Sequence, residues 1–412
     1  MVSRSDFPLL THRSELCYLD NASTVQKPQM VLDALNHFYT YENANTYRGI
    51  YELGELATER YEAARNTVAQ FLNAAHTSEI IFTRGTTDGI NAVADGWARR
   101  NLKAGDEIVI TELEHHSNWL PWQRLAREYG IVVNVIPVLP DGTLHMQKAA
   151  ALITKRTQLV AMTWISNAIG THVPVEKIIQ LAQQVGARVL IDAAQAVAHL
   201  PIDLQKIKAD FLVFSGHKIG GPTGVGVLYI NKALHESFEP YQLGGGMVLN
   251  VDLPTYPAIR SSSSSEVWLP APHKFEAGTP PIAQAIGLAA AIDYMRKHIN
   301  YAALQKDEAS LCARLIERLS QHEKIRILGP QQELAQHGHL VSFVVDGMHA
   351  HDVAAYCAQQ SICLRAGHHC AQPLARAVGY DASVRASFYA YNTVDDVDRL
   401  AIAIDSLIAE LR

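Results

Sequence analysis

The stretch Phe-Ser-Gly-His-Lys at residues 214–218 closes one apolar run, and the stretch Val-Leu-Ile-Asp at residues 189–192 ends another. The spacing between them is about that of one strand–helix–strand unit. Apolar runs without polar alternation are typical of parallel strands buried on both faces. The two stretches therefore predict neighbouring strands of a parallel sheet, with Asp192 and Lys218 at the strand ends, where open α/β sheets place their ligands.

The same alternation of apolar runs and amphipathic segments extends from about residue 17 to residue 294. The segments 55–72, 121–129 and 175–185 have the apolar period of a helix. This pattern predicts a large α/β domain with a mainly parallel seven-stranded sheet covered by helices. The predicted strands are 79–83, 107–111, 132–138, 158–165, 188–192, 211–215 and 226–230.

From about residue 299 the order becomes helix, strand, helix, strand and helix, which predicts a smaller α/β domain. We expect a large domain at 18–294 and a small domain at 295–412, with the segment 1–17 packed beside the small one. A run of five serines at 261–265 predicts an exposed loop or hairpin tip. The elements predicted after residue 299 are 303–322, 339–345, 351–360, 362–365 and 393–411.

Composition narrows the class of protein. The chain has 412 residues, of which 48% are apolar, and this predicts a soluble globular protein of about two domains. The net charge of −6 is spread along the chain without a basic stripe, which argues against binding to nucleic acid or membranes. No run approaches the roughly 20 apolar residues of a membrane span, and the start lacks a signal core. A cytosolic location is the expectation.

Cysteine and histidine spacing give no sign of disulfides or a metal. The five cysteines include no Cys-x-x-Cys pair, so four of them predict reduced packing thiols. The exception is Cys370, which follows Arg-Ala-Gly-His-His. No cysteine or carboxylate completes a metal spacing around the histidine pairs, so we expect no metal. The histidine pairs are 337/339 and 349/351, and the packing thiols are Cys17, Cys312, Cys357 and Cys363.

Lys218, Asp192 and Cys370 together suggest carbon–sulfur chemistry on pyridoxal 5'-phosphate. The amine can form a Schiff base, the carboxylate can keep the pyridine nitrogen protonated, and the thiol can accept sulfur. Gln195, three residues after Asp192, can hydrogen-bond the phenolic oxygen of the cofactor. Taken singly, a lysine is usually a solvated charge, an aspartate after a strand often caps a turn, and a cysteine is usually a packing thiol.

Two further motifs fit the same cofactor. Thr86 and Thr87, in Arg-Gly-Thr-Thr, stand where a strand turns into a helix, and their hydroxyl and backbone NH groups can bind phosphate. Taken alone, this motif is more often an ordinary helix cap. His115, in Glu-His-His-Ser-Asn, can stack on the pyridine face and pass protons near neutral pH, although an isolated histidine pair is more often a surface or core feature.

The chain resembles the group II cysteine desulfurases, the Suf-type and Csd-type branch of the class V, fold-type I pyridoxal-phosphate enzymes. The resemblance runs almost from end to end and rests on an ordered series of motifs. These are Tyr-Leu-Asp-Asn-Ala (18–22), Arg-Gly-Thr-Thr (84–87), Glu-His-His (114–116), Ser-Asn (166–167), Asp-Ala-Ala-Gln (192–195), Ser-Gly-His-Lys (215–218), Phe-Glu-Ala-Gly-Thr-Pro (275–280), Arg-Ala-Gly-His-His-Cys-Ala-Gln-Pro (365–373), Arg-Ala-Ser (385–387) and Tyr-Asn-Thr (391–393).

The resemblance implies how the cofactor would be held. Lys218 would form the Schiff base, and His115 would stack on the ring. Gly278 and Thr279 resemble the segment that reaches the phosphate of the partner subunit, which implies a homodimer with shared sites. The remaining cofactor contacts would be Asp192 and Gln195 to the ring, Asn167 also to the ring, and Thr87, Ser215 and His217 to the phosphate.

The resemblance also implies the reaction. Arg385 would bind the carboxylate of L-cysteine together with Asn167, and Arg365 would support the cysteine loop beside the substrate. Lys218 would remove the Cα proton, Cys370 would take the substrate sulfur as a persulfide, and L-alanine would leave. His368, His369 and nearby cationic groups would favour the thiolate. The persulfide would pass to a small SufE- or SufU-like acceptor protein.

Three positions depart from the family pattern. Tyr47 stands where relatives usually carry a histidine, Gly220 replaces a bulky residue, and the segment 246–275 is longer than usual. We expect the first two near the cofactor entrance and the third near the neighbouring subunit's cysteine loop. Other functions stay open: a selenocysteine lyase acting on L-selenocysteine, a class V aminotransferase, or a catalytically silent sulfur-transfer scaffold. The sequence also leaves open the sulfur acceptor, the downstream pathway, for example iron–sulfur cluster assembly, and the turnover rate.

Overall fold

The computed structural model describes residues 2–251 and 266–410. Its central feature is a seven-stranded sheet. The strands of the described residues, numbered along the chain, are β1 (Cys17–Tyr18), β2 (Ile80–Thr83), β3 (Glu107–Thr111), β4 (Val132–Ile136), β5 (Thr157–Thr163), β6 (Arg188–Asp192), β7 (Phe211–Ser215), β8 (Gly226–Ile230), β9 (Val248–Asn250), β10 (Val267–Trp268), β11 (Ile325–Leu328), β12 (Leu340–Val345), β13 (Ile362–Cys363), β14 (Arg365–Gly367) and β15 (Ser383–Ser387).

The order of the central sheet is β2-β8-β7-β6-β5-β3-β4. Only β8 runs antiparallel to its neighbours, β2 and β7, and the other pairs are parallel. Every residue of β2, β3, β7 and β8 is buried, as the unbroken apolar runs predict. The predicted mainly parallel seven-stranded sheet is therefore confirmed, with strand ends that agree with the predicted ones to within two residues.

Helices cover both faces of this sheet. Two of them, α6 (Leu120–Tyr129) and α8 (Val175–Val185), are capped by Gly130 and Gly186, whose φ values of 71° and 81° give the left-handed caps that glycine adopts at little cost. The α-helices of the described residues are α1 (Pro8–His12), α2 (Gln29–His37), α3 (Glu52–Phe71), α4 (Thr86–Ala92), α5 (Arg99–Asn101), α6 (Leu120–Tyr129), α7 (Met146–Leu152), α8 (Val175–Val185), α9 (Ala196–His199), α10 (Leu204–Ile207), α11 (Ile282–His298), α12 (Tyr301–Leu319), α13 (Gln331–His337), α14 (Ala350–Gln359), α15 (Gln372–Val378) and α16 (Val394–Glu410).

The C-terminal part is built on an antiparallel sheet of four strands in the order β11-β12-β15-β14. The sequence prediction omitted β11, α13, α15 and β15 and was wrong in that respect. The strand β15 reads Ser-Val-Arg-Ala-Ser, and all five residues are buried although three are polar, so no apolar pattern marks it. The predicted strand 362–365 is divided, because β13 pairs with β1 and β14 pairs with β15.

The N-terminal segment contacts both parts of the fold. Cys17 pairs with Ile362 through β1 and β13, beside the C-terminal sheet. Phe7 instead packs edge-on against Tyr294 and Tyr391, with ring centroids 5.8 Å and 4.7 Å away. The domain limits 18–294 and 295–412 stay a prediction. The serine run 261–265 lies outside the described residues. No helix in the described part of the chain is long and apolar enough to cross a membrane.

Candidate active site

A cavity of about 300 Å³ lies at the carboxyl ends of the parallel strands, closed on one side by the C-terminal part. The sequence-predicted site residues meet there with two exceptions, Gly278 and Thr279. The predicted residues that line the cavity are Thr86, Thr87, His115, Asn167, Asp192, Gln195, Ser215, His217, Lys218, Arg365, Cys370 and Arg385. They come from loops that are distant in the sequence and that the sheet order places side by side.

Lys218 contributes a buried amine to the cavity. It lies in the turn Gly216–Ile219 directly after β7. Its Nζ donates a hydrogen bond to the carbonyl of Ala22, which also accepts one from Gln195 Nε2 at 2.9 Å. Burial, with the charge of Arg385 adding to it, lowers the pKa of Lys218 to about 7. A large share of the amine is therefore neutral near pH 7, the form that attacks a carbonyl or accepts a proton.

Asp192 ends β6 opposite Thr163, the last residue of β5. Its Oδ1 accepts a hydrogen bond of 2.9 Å from the backbone nitrogen of Ala194. Burial raises the pKa of this carboxyl to about 6, while the Ala194 hydrogen bond and the Lys218 charge act in the opposite direction. A cationic ring nitrogen in the cavity would find an anionic partner here at neutral pH.

Hydroxyl groups cluster where α4 begins. The backbone nitrogen and Oγ1 of Thr86 both lie 2.8 Å from Ser215 Oγ, and Thr87 Oγ1 lies 2.6 Å from Ser117 Oγ. Gly85 precedes the helix with a φ of 148°, and a Cβ there would lie 3.1 Å from Ser215 Oγ. This turn brings four hydroxyls and the free amides of the helix start to one end of the cavity, as an oxyanion such as phosphate requires.

His115 is held in one tautomer by its neighbour Ser117. The ring Nδ1 accepts a hydrogen bond of 3.1 Å from the backbone nitrogen of Ser117 and lies 2.9 Å from its Oγ. A neutral ring with an accepting Nδ1 carries its proton on Nε2. Burial, reinforced by the charge of Lys218, lowers the pKa of His115 to about 4, and burial lowers that of His217 to the same value. Both rings are therefore neutral near pH 7.

Two arginines share one carboxylate at the substrate side of the cavity. Arg385 is buried in β15 and donates to Asp20 Oδ1 at 3.2 Å and to Ser23 Oγ at 2.8 Å. Arg365 is exposed and donates to Asp20 Oδ2 at 2.8 Å and to the same Ser23 oxygen at 2.9 Å. Two cations against one anion leave a net positive charge, which suits a carboxylate ligand.

Arg385 keeps spare hydrogen-bonding capacity. Its Nη1 donates to the carbonyl of Asn167 at 2.6 Å, while its buried Nε has no hydrogen-bond partner among the described residues. Burial lowers the pKa of Arg385 to about 10, which leaves the guanidinium charged at neutral pH. An unpaired buried donor on a charged group is costly, so an anionic ligand at this wall would relieve it.

Cys370 is exposed at the rim, on a turn of unusual backbone. His369 and Cys370 have φ values of 52° and 55°, a left-handed conformation that non-glycine residues rarely adopt. Two hydrogen bonds hold the turn. Asn167 Nδ2 donates to the carbonyl oxygen of His369 at 2.7 Å, and the backbone nitrogen of His116 donates to the carbonyl oxygen of Cys370 at 2.8 Å. The thiol is thus presented to the cavity and to solvent.

One expectation for this turn is wrong. His369 was expected to help stabilise a Cys370 thiolate, but its ring is buried with Nε2 2.9 Å from Ser383 Oγ. Burial lowers the pKa of His369 to about 3, so the ring carries no positive charge near pH 7. The other cysteines are placed as packing thiols would be, with Cys363 partly buried and Cys17, Cys312 and Cys357 fully buried.

Gly278, Thr279, Tyr47 and Gly220 do not line the cavity of this chain. Thr279 Oγ1 lies 3.5 Å from Asn45 Nδ2, and Tyr47 donates to Glu62 at 2.5 Å. Gly220 has a φ of 81°, and a Cβ there would lie 3.2 Å from Pro28. A bulky residue at position 220 would therefore meet both an unfavourable backbone and a close neighbour.

Sequence reasoning assigned no role to Asp20, Ser23, Ser117 and Glu114. Asp20 and Glu114 lie inside quoted motifs, and Ser117 follows one, so their positions were a usable signal. Ser23 also follows a motif, but its role depends on two arginine contacts that join positions more than 300 residues apart, with separations of 342 and 362. Such long-range partners are visible only in the folded chain.

Comparison with known proteins places this cavity in context. The sequence profile of the family described as aminotransferase class-V matches residues 17–400. Over 402 residues the chain is 44% identical to a probable cysteine desulfurase of Halalkalibacterium halodurans, covering 97% of this chain and 95% of that protein. The apo cysteine desulfurase of Thermococcus onnurineus NA1 is 40% identical with a TM-score of 0.91, covering 99% of this chain and 97% of that one. The S-sulfonic acid form of the Escherichia coli cysteine desulfurase CsdA is 37% identical with a TM-score of 0.88, covering 98% and 97%.

Proposed function

Because the chain belongs to the class V aminotransferase family, we propose that it is a pyridoxal-phosphate-dependent cysteine desulfurase of the group II type. The observation that carries the proposal is the meeting of Lys218, Asp192 and Arg385 in one cavity with the exposed Cys370 at its rim. The predicted family and fold type are confirmed by the profile match and by the two solved structures. Relatives named cysteine desulfurase that match almost the whole chain support the same activity.

The residues present fit pyridoxal 5'-phosphate. Asp192 supplies an anion for the ring nitrogen, Gln195 an amide for the phenolic oxygen, and Lys218 an amine that is largely neutral. Thr86, Thr87, Ser215 and His217 would hold the phosphate, with His115 and Asn167 against the ring. When bound, the cofactor supplies an electron sink for the carbanion that forms at the α-carbon of an amino acid.

The chain's own groups account for binding and proton transfer. Arg385, with Arg365 beside it, would bind the carboxylate of L-cysteine, and Asn167 would orient it. Lys218 would take the proton from Cα, since its low pKa keeps a neutral amine available at neutral pH. His115, with its proton on Nε2, would donate or relay a proton at the ring face.

Cys370 would carry the sulfur. Its thiolate attacks the sulfur of L-cysteine as the bond from sulfur to Cβ breaks, which leaves a persulfide on Cys370 and, after protonation at Cβ, L-alanine. The electron pair from the broken bond stays with the three-carbon product, so no external oxidant or reductant is needed. Exposure of the thiol at the cavity rim supports transfer of this sulfur to an acceptor protein, which we propose to be small and SufE- or SufU-like.

An exposed apolar surface supports a homodimer. The segment 39–53, between α2 and the first turn of α3, exposes six large apolar side chains, with Ile50 97% exposed and Tyr41 69% exposed. A cluster of this kind on a folded chain marks a protein contact. Thr279 lies beside Asn45 at the same surface, where a partner's cavity could receive it. The exposed side chains are Tyr39, Tyr41, Tyr47, Ile50, Tyr51 and Leu53.

Reconstitution tests the proposal directly. The protein is loaded with pyridoxal 5'-phosphate and given L-cysteine, and alanine and sulfide are measured with candidate acceptors added one at a time. Alanine formation that an acceptor accelerates is the expected result. A keto acid in place of alanine would point to an aminotransferase, and failure to bind the cofactor would point to a silent scaffold. Turnover of L-cysteine and of L-selenocysteine is compared in the unchanged protein and in Cys370→Ala, because selenium release can depend less on the thiol. Preferred turnover of L-selenocysteine that does not need Cys370 would point to a selenocysteine lyase.

A further inference from the structure

Glu114 is a fully buried carboxyl group that directly precedes His115 and has no part in the roles assigned above. Three donors converge on it: Thr111 Oγ1 at 2.6 Å, the backbone nitrogen of Thr163 at 3.0 Å and Asn118 Nδ2 at 2.6 Å. We propose that Glu114 is a positioning residue that fixes His115 and the end of β5 around the ring-binding part of the cavity. The functional meaning of this inference rests on the proposed cofactor chemistry.

The contact with Thr163 replaces a backbone hydrogen bond that β3 does not supply at the end of β5. The pairing of β3 with β5 runs only as far as Val109 and Val160, so the last residues of β5 extend past it. The backbone nitrogen of Thr163 would lack a ladder partner there, and Oε1 of the Glu114 carboxyl group accepts its hydrogen bond instead. On the other side Thr163 pairs with Asp192. Glu114 therefore completes the sheet one strand away from the carboxylate proposed to hold the ring nitrogen.

The other two contacts anchor the loop that carries His115. Asn118 extends the hydrogen-bond network to α6, because its Oδ1 accepts a hydrogen bond of 3.0 Å from Nε1 of the buried Trp122. Ser117 lies between Thr111 and Asn118 in the chain. Its backbone nitrogen donates to His115 Nδ1, and its hydroxyl hydrogen-bonds Thr87 Oγ1. A shift of the Glu114 carboxyl would move His115 and Ser117 together, and with them both the ring-stacking and the phosphate sides of the cavity.

A carboxyl group at this place serves for its acceptor oxygens rather than for its volume. Burial raises the pKa of Glu114 to about 8, and the neighbouring charge of Asp192 adds to the shift, so the group is costly to hold here. An apolar side chain would fill the same volume without that cost, although it would leave the Thr163 nitrogen and the Asn118 amide unpaired. The acid is placed where its three hydrogen bonds define the position of His115.

A pair of variants tests the proposal. Glu114→Gln puts an amide against the Asn118 amide, so one hydrogen bond is lost. The double variant Glu114→Gln with Asn118→Asp restores complementarity, because the new carboxylate accepts from both the glutamine amide and Trp122 Nε1. We expect Glu114→Gln to change the visible circular dichroism of the bound cofactor and to lower kcat/KM by roughly 10- to 100-fold, as a small misplacement of reacting groups does. The double variant should recover most of both.

Glu308→Gln is the matched control, since Glu308 is also a fully buried acid but pairs with His199 away from the cavity. It should lower Tm and leave the visible circular dichroism of the bound cofactor unchanged. The proposal is overturned if Glu114→Gln and Glu114→Ala bind the cofactor with an unaltered spectrum, or if the double variant fails to rescue the single one. The dichroism is read without turnover, so an altered spectrum in a protein that makes no alanine would uphold the positioning role and reject the proposed function.

Discussion

The side chain of Asn167 donates a hydrogen bond of 2.7 Å to the carbonyl of His369, which ties the loop after β5 to the turn that presents Cys370. The two residues are 202 positions apart in the chain. The backbone carbonyl of Asn167 also accepts a hydrogen bond from Arg385 Nη1. One residue thus links the proposed cofactor side, the substrate arginine and the cysteine turn.

Replacement of this link should loosen the cysteine turn. Asn167→Ala removes the hydrogen bond that restrains two consecutive left-handed residues, His369 and Cys370, so the thiol should spend less time in the position for attack. We expect persulfide formation to slow by about tenfold or more. Rapid-quench labelling of the persulfide measures this rate. An unchanged rate together with a normal substrate KM would show that the turn is held by its other contacts.

Lys218→Ala should abolish both the visible absorbance of the lysine-bound cofactor and the formation of alanine, because no other amine lines the cavity in the described part of the chain. Absorption spectroscopy after reconstitution and amino-acid analysis after incubation with L-cysteine measure the two effects. Lys27→Ala is a suitable control, since its amine donates to Val25 and Thr24 outside the cavity. A normal spectrum with normal alanine output would remove Lys218 from its proposed role.

Cys370→Ala should separate sulfur transfer from cofactor binding. The thiol makes no hydrogen bond to the ring-binding residues, so the variant should keep the cofactor absorbance and its spectral response to L-cysteine. Protein-bound persulfide and alanine release should both be lost. Peptide mapping by mass spectrometry after brief incubation with L-cysteine locates the added sulfur. Cys363→Ala, which removes a partly buried thiol, should retain turnover, and sulfur found on Cys363 would contradict the assignment.

Arg385→Lys should weaken substrate binding although it conserves the charge. A single ammonium group cannot reach the Asn167 carbonyl, Asp20 and Ser23 in the planar geometry of the guanidinium. We expect kcat/KM for L-cysteine to fall by about 100-fold, which is close to 2.7 kcal/mol of transition-state stabilisation. Steady-state kinetics measure the loss. Arg365→Lys should lower kcat/KM less because that side chain is exposed. Equal losses of kcat/KM in the two variants would show that both act through their shared partner Asp20.

The depressed pKa of Lys218 predicts a pH-dependent stability for the cofactor-free protein. In the unfolded chain the amine stays protonated up to about pH 10, whereas in the folded chain it loses its proton near pH 7. The unfolded state therefore binds the extra proton between these values, and Lys218 costs progressively more stability as the pH falls from 10 to 7.

Lys218→Met should accordingly raise Tm relative to the unchanged protein at pH 7, and the difference should shrink as the pH rises toward 10. Differential scanning fluorimetry of the two cofactor-free proteins across this range measures it. Lys27→Met serves as the control for the loss of a lysine, because its pKa is lowered less, to about 8. A difference in Tm that does not vary with pH would show that the folded amine titrates at its ordinary value.

The central sheet was predictable because its strands are local features of the sequence. Seven apolar runs, each bounded by polar or turn residues, gave strand limits close to those of β2 through β8. The polar residues that end or closely follow these runs, such as Asp192 and Thr86, were predictable as site residues for the same reason, since parallel strands bring their carboxyl ends to one edge. The order of the motifs along the chain was enough to indicate the family.

Only the tertiary structure decided how the substrate side of the cavity is built. Asp20 bridges Arg365 and Arg385 across 345 and 365 positions of the chain, and β15 buries Arg385 without any apolar pattern. The loss of charge on His369 likewise follows from burial against Ser383, which its motif does not reveal. Periodicity and motif spacing record what a residue does within its own element, whereas shared hydrogen bonds, burial and pKa depend on neighbours that folding brings from distant parts of the chain.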